Sequence, residues 1–152
     1  MKLATLCYLK QAGRTLMIHR VTKPDDIHQG KWNGLGGKLE PGESPEQCVL
    51  REVREEAGLE LIKPRYHGLL LFADFKRDDW FVWVFSAHQF QGRLLDSSRE
   101  GHLQWIPDDE LTSLNLWPSD HIFLPWIKDG RIFSARFQYD DEAMLGHEVA
   151  FY

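Results

Sequence analysis

Residues Gly37 to Leu59 read GKLEPGESPEQCVLREVREEAGL, and this stretch decides the fold. Its second half carries a helix start. Ser44 is the N-cap, Pro45 suits the first helical position and Gln47 completes a capping box. The helix is predicted to run from Pro45 to Ala57 and to stop at Gly58, the favoured residue just past a helix end. Val49, Leu50, Val53 and Ala57 form its apolar stripe. Glu52, Glu55 and Glu56 stand at i, i+3 and i+4, so at about 100° per residue they share one flank of that helix. Like charges at this spacing destabilise a helix unless something neutralises them. Arg51 and Arg54 are candidate partners, but they are expected to project to other faces. A hard divalent cation, Mg²⁺ or Mn²⁺, takes carboxylate oxygens and bridges to phosphate, which fits the cluster. A solvated acidic face is the plainer alternative. The glycine-dense entry Gly34-Leu35-Gly36-Gly37 argues against it, because such backbone can approach a ligand closely.

Outward from this helix, turn residues punctuate the chain. Lys2 to Lys10 and Arg14 to Arg20 read as strands joined at Gln11-Ala12-Gly13, and Val21 to Lys31 reads as a loop. His67 to Phe75 and Trp80 to His88 read as a hairpin around Lys76 to Asp79. Gly101 to Ile106 reads as a short strand, Pro107 to Leu114 as a brief helix and Ser119 to Ile127 as another. Arg131 to Tyr139 and Ala143 to Phe151 read as a final strand pair. Strands before and after helices predict an α/β domain with a mixed sheet, a single domain over residues 1–152.

Composition narrows the function classes. The 152 residues include 9 Phe, 6 Trp and 4 Tyr, too much apolar surface for a disordered chain. The longest apolar run is Leu69 to Ala73, too short to span a bilayer. Met1 to Lys10 lacks the pattern of a secretory signal, and Cys7 and Cys48 make no disulfide scaffold, so the expected location is cytoplasmic. Cys48 lies on the carboxylate flank and is expected to be a small buried filler. The net charge is −5 with no Lys/Arg cluster, which argues against a stable nucleic-acid partner. An acidic protein still binds a phosphorylated small molecule if divalent cations carry the positive charge.

Gly37, five residues, Glu43, seven residues and then Arg51-Glu52-Val53-Arg54-Glu55-Glu56-Ala57-Gly58-Leu59 resembles a complete Nudix box over residues 37–59. The resemblance implies an α/β/α sandwich with a mixed central sheet and Mg²⁺- or Mn²⁺-dependent hydrolysis of a nucleoside diphosphate linked to a further group. It implies that Glu52, Glu55 and Glu56 hold metal, helped by the Gly37 carbonyl. Glu52, or a carboxylate outside the box, would activate water, with Glu43 and Arg51 bracing the loop–helix junction. Glu100, five residues before Trp105, is the candidate extra catalytic and metal-binding carboxylate.

Lys31-Trp32-Asn33-Gly34-Leu35-Gly36-Gly37-Lys38 and Trp117-Pro118-Ser119-Asp120 resemble the MutT-type 8-oxo-dGTP diphosphatases. Leu124-Pro125-Trp126 and Phe133 to Phe137 echo their later aromatic blocks. The likeness implies that Asn33, Ser119 and Asp120 hydrogen-bond the purine edge, that Trp117 stacks on the ring, that Phe72 lines the pocket and that Trp80 closes it. Thr5 and His19 would be first-strand pocket and phosphate-side residues. One position departs from the human-type pattern: where that pattern has two consecutive Asp, Ser119 precedes Asp120, and a serine cannot switch charge. The expected function is conversion of an oxidised purine dNTP to its monophosphate and pyrophosphate. The alternatives are a Nudix hydrolase of another nucleotide derivative and a non-catalytic Nudix-fold nucleotide-binding module. The expected partner is a small nucleotide, bound by a monomer or a homodimer.

Overall fold

Strand β1 (Lys2–Gln11) explains the layering. Its Ala4, Leu6 and Tyr8 pack into one hydrophobic cluster, while the alternate residues Cys7 and Leu9 pack into another. A strand apolar on both faces needs a layer on each side. Helix α1 (Pro45–Ala57) covers the Cys7 side with Val49, Val53 and Ala57, and α2 (Pro118–Lys128) covers the Tyr8 side with Phe123, Leu124 and Ile127. The result is the expected α/β/α sandwich, seen in a computed structural model that describes residues 1–152.

The remaining elements are β2 (Arg14–His19), β3 (Trp32–Asn33), β4 (Leu59–Leu61), β5 (Arg65–Phe75), β6 (Asp78–Ala87), β7 (Phe90–Gly92), β8 (His102–Pro107), a 3₁₀ segment (Asp108–Ser113), β9 (Phe133–Asp141) and β10 (Ala143–Phe151). The large sheet runs β10-β9-β5-β6-β1-β2-β3, with β8 on β2. It is mixed: β1 lies parallel to β6 and β5 to β9, and the other pairs are antiparallel. Strands β4 and β7 form a separate two-stranded sheet. No helix is long and apolar enough to cross a membrane.

Helix α1 begins and ends where its signals place it, with Ser44 and Gln47 exchanging both capping-box hydrogen bonds and Gly58 closing the last turn. The expected hairpin turn is tighter than its sequence suggests. Strand β6 starts at Asp78, and only Lys76 and Arg77 turn the chain, both at positive φ, as a two-residue hairpin requires.

Strands β1 and β2 pair only at Lys10 and Gln11 and then diverge. The gap is filled by the glycine segment. Leu35 and Cys7 exchange backbone hydrogen bonds at 2.6 and 3.0 Å, and the Thr5 amide donates to the Gly37 carbonyl at 2.9 Å. The segment is thereby clamped along β1, next to α1.

Candidate active site

A cleft of about 950 Å³ opens where β1 begins and β5 ends. Glu52, Glu55 and Glu56 from α1 line it, together with Glu100 from the loop before β8. Asn33, Phe72, Trp117, Ser119 and Asp120 line it as well. Of the residues expected from sequence, Thr5 and Gly37 also reach the cleft. His19 is not among the residues that line the cleft; its ring stacks on Trp32 at 4.2 Å.

The glycine segment meets α1 at two backbone positions that admit no side chain. At Gly36, φ is +140°, and a Cβ would lie 2.1 Å from the Thr5 carbonyl oxygen. At Gly37, a Cβ would lie 2.5 Å from the Glu52 carboxyl carbon. The Gly36 amide donates to Glu56 Oε1 at 2.8 Å. Glu56 is buried (5 % exposed), and burial pushes its carboxyl up to about 8 despite that hydrogen bond, with Glu52 adding to the rise. Burial also raises Glu52, against the opposing pull of Arg51.

Arg51 is the hub of the acidic flank, contrary to the expectation that it projects away. Its Nε and Nη2 hold Glu43 at 2.7 and 2.9 Å, and Nη1 reaches Glu52 at 2.8 Å and Glu55 at 3.3 Å. The fork geometry of guanidinium allows this, since it spends two donors on Glu43 and still turns a third toward its own helix. Arg51 pulls the Glu43 carboxyl down to about 2. Its Nη2 also donates to the Lys38 carbonyl at 3.1 Å, tying the loop to the helix. Glu43 and Arg51 thus brace the junction without lining the cleft. Arg54 does face elsewhere, toward Glu60. Cys48 is the expected buried filler, its thiol beside Thr5 Oγ1 at 3.3 Å and pushed up to about 11 by burial.

No three of the acidic side chains already converge as a ligand cluster. Each is held separately: Glu52 and Glu55 by Arg51, Glu56 by Gly36, and Glu100 by Arg20 (3.0 Å) and Lys23 (2.8 Å). The donor set nonetheless fits a hard divalent cation. It offers only carboxylate and carbonyl oxygens, and a buried carboxyl raised to about 8 beside another acid gains most from a positive charge.

The other end of the cleft is aromatic. Phe72 touches Phe75, Phe137 and Tyr139, and Phe75 meets the Trp117 ring edge-on at 4.8 Å. Trp117 is 7 % exposed and belongs to the core as much as to the cleft. Lys31 Nζ lies over its ring at 4.6 Å. Trp80 lines the cleft too, with Lys38 Nζ at 5.6 Å above it. Asp120 is buried, which pushes its carboxyl up to about 7. Tyr139 Oη donates to Ser119 Oγ at 2.8 Å, and Ser119 Oγ donates to Asp120 Oδ1 at 3.3 Å. Asn33 keeps its amide free of protein hydrogen bonds and outside the buried unpaired groups, so it is open to the cleft.

Sequence reasoning missed Tyr139, Phe75, His28 and Arg20. Tyr139 carries a visible signal, because Phe133, Ala135, Phe137 and Tyr139 alternate inward along β9. The two loop-side residues carry none, since a polar loop has no periodicity.

The sequence pattern of the NUDIX domain matches residues 2–127. The chain is 32% identical over 146 residues to the uncharacterized Nudix hydrolase YvcI of Bacillus subtilis, covering 93% of this chain and 89% of that protein. It is 31% identical over 149 residues to the oxidized purine nucleoside triphosphate hydrolase of Danio rerio, covering 97% and 90%. A MutT protein structure from Bacillus halodurans superposes with a TM-score of 0.86 at 28% identity, over 98% of this chain and 97% of that one. A domain match running from the first strand to the end of α2, relatives alike over nearly their whole length and an acidic helix flank facing a glycine segment agree on one assignment: the chain belongs to the Nudix family, as a MutT-like hydrolase.

Proposed function

We propose that the protein hydrolyses oxidised purine deoxynucleoside triphosphates of the 8-oxo-dGTP kind to the monophosphate and pyrophosphate, in the cytoplasm, with Mg²⁺ or Mn²⁺ as cofactor. The observation that carries this reading is a single cleft with an acidic wall at one end and an aromatic, hydrogen-bonding pocket at the other. The Danio rerio and Mus musculus relatives named for oxidised purine nucleoside triphosphates support the substrate class.

Glu52, Glu55, Glu56 and Glu100 are the residues proposed to hold the cation, with the Gly37 carbonyl. When bound, the metal would neutralise phosphate charge and make water a better nucleophile. The chain's own residues supply the rest. Phe72 and Trp117 give the base an apolar lining, and the Asn33 amide offers both a donor and an acceptor to a purine edge. Asp120, whose carboxyl burial raises to about 7, keeps its proton below neutral pH and there adds a donor where an ionised carboxylate would offer none. Glu52, whose carboxyl is raised by burial, is the proposed base that takes the proton of the attacking water. Water adds its oxygen to one phosphorus of the anhydride between the α- and β-phosphates, the bond from that phosphorus to the bridging oxygen breaks, and the monophosphate and pyrophosphate separate. Arg51 and Glu43 act by positioning, because they fix the glycine segment against α1.

The test is product analysis with 8-oxo-dGTP, dGTP, dCTP and ADP-ribose, with and without Mg²⁺. Metal-dependent monophosphate and pyrophosphate, with 8-oxo-dGTP preferred over dGTP by about 10-fold or more in kcat/KM, is the expected outcome, the scale of one net hydrogen bond. Preference for another nucleotide would overturn the substrate while leaving the hydrolase. No turnover of any of them would favour a binding module instead.

A further inference from the structure

The loop between β2 and β3 carries a side chain that no motif marks. This loop is rigidly built. Arg20 grips Asp26 through Nε (2.7 Å) and Nη2 (3.0 Å), and the same carboxylate accepts the His28 amide at 3.0 Å. The Gly30 amide donates to the Arg20 carbonyl at 2.7 Å, and the Lys31 amide to the His28 carbonyl at 2.8 Å. Together these bonds fix His28 over the aromatic end of the cleft, where its ring lies near-parallel to Phe75 and edge-on to Trp117.

The Trp117 indole nitrogen donates to His28 Nδ1 at 2.9 Å. An indole N–H can only donate, so Nδ1 must be the bare nitrogen and the ring proton must sit on Nε2. Nε2 has no protein partner. The only buried side-chain nitrogens without one are His67 Nδ1 and Trp80 Nε1, so His28 Nε2 is open to solvent. The charges facing the ring are Arg20, Asp26, Lys76 and Glu100. Burial, helped by Arg20, lowers its pKa to about 4, so the neutral tautomer persists at physiological pH. A neutral donor fixed on two sides pays little ordering cost when it meets an acceptor.

We propose that His28 is a specificity-determining residue of this hydrolase, its Nε2–H donating to an acceptor on the edge of the bound nucleobase. The inference rests on the base occupying the aromatic end of the cleft, as in the function proposed above. It adds a contact from the loop side of the cleft. It also explains why Trp117 is hydrogen-bonded at all: the bond selects the tautomer and aims the second nitrogen.

The test is a binding cycle on the whole protein, read by calorimetry with monophosphates so that turnover does not intervene. The ligands are 8-oxo-dGMP, in which N7 carries a proton and O6 and O8 are the edge acceptors, its analogue lacking O6, and dGMP, which lacks O8. The proteins are wild type and His28→Phe, which keeps a ring against Phe75 but has no nitrogen. In the wild type, one analogue is expected to bind about 10-fold more weakly than its parent, the scale of a single lost hydrogen bond. In His28→Phe, that penalty should fall to near 1-fold. Wild-type ¹⁵N spectra should show Nδ1 as acceptor and Nε2 protonated from pH 6 to 8, with the Nε2 proton slowing in exchange on ligand addition. Equal analogue penalties in both proteins, an Nδ1–H tautomer, or no purine monophosphate binding by the wild type would each overturn the proposal. Loss of 8-oxo preference with the cycle intact would instead overturn only the oxidised-purine substrate.

Discussion

Asp120→Asn isolates the energetics of the proposed base pocket. Asp120 is 8 % exposed, its carboxyl is raised to about 7, and its unperturbed value is 3.8. Between those values the unfolded chain has lost the proton while the folded one keeps it. The folded state therefore binds more protons, and stability falls as pH rises. The contribution is complete below pH 3.8 and gone above about 7. At 1.36 kcal/mol per unit the ceiling is about 4 kcal/mol, and water drawn toward a buried ion reduces the expected value to about 2 kcal/mol. Asparagine has nearly the same shape and does not titrate. Urea unfolding of both proteins at half-unit steps from pH 4.5 to 8.5 should give a difference curve. That curve rises in favour of the variant through pH 6 and levels off by pH 8. Subtracting the two proteins cancels Glu56, whose raised carboxyl contributes in the same direction in both. A flat difference would refute the burial argument. A variant growing steadily less stable toward high pH would show Asp120 to be an ionised partner of Lys31 instead.

Gly36→Ala should cost about 3 kcal/mol in urea unfolding, because the new Cβ meets the Thr5 carbonyl and φ is +140°. Gly37→Ala should displace the Glu52 carboxyl and lower kcat by about 10-fold or more, with a smaller loss of stability than Gly36→Ala, since the obstructing atom belongs to a side chain. Arg51→Lys keeps the charge but cannot hold Glu43 bidentately while reaching Glu52, so kcat/KM should fall about 10-fold under saturating Mg²⁺. Chelation with EDTA should abolish hydrolysis, and Mg²⁺ at 100 times its Kd should stabilise the protein by about 2.7 kcal/mol against urea. A protein equally active and equally stable in EDTA would refute the cation reading of the acidic wall.

Where the signal is local, the sequence is easily read. The capping box, the apolar stripe and Gly58 are contained within one helix and its flanks, and α1 forms with those bounds. The alternation in β1, β6 and β9 is also local, although it does not say which strands become neighbours. Strands β3, β4 and β7 are two or three residues long, too short to show any period: β3 forms because the longer β2 offers free backbone groups, and β4 and β7 form by pairing with each other. The Arg51 misreading came from ideal helix angles, which place the Cβ but not the end of a flexible six-atom chain. The pairing of β2 with β3 sets His19 beside Trp32, a contact that no local pattern shows. Tyr139 and His28 lie 20 and 89 residues from the partners that give them roles, Ser119 and Trp117, so nothing in the local sequence connects them.

Ser119 shows how the structure absorbs a departure from the family pattern. Two adjacent carboxylates in one pocket repel, so their protons are shared and neither titrates independently. With serine at the first position, Asp120 titrates alone, and its proton is governed by burial and by one hydroxyl. That hydroxyl is itself fixed by Tyr139, whose phenol donates to it. The relay Tyr139 to Ser119 to Asp120 aims donors at Asp120, which accepts from Ser119 when ionised and carries a proton of its own when neutral. The pocket then presents different edges to a base in the two states. A Tyr139→Phe change removes the anchor without touching the carboxylate, so the relay requires it to alter the pH profile of purine preference as well as its magnitude.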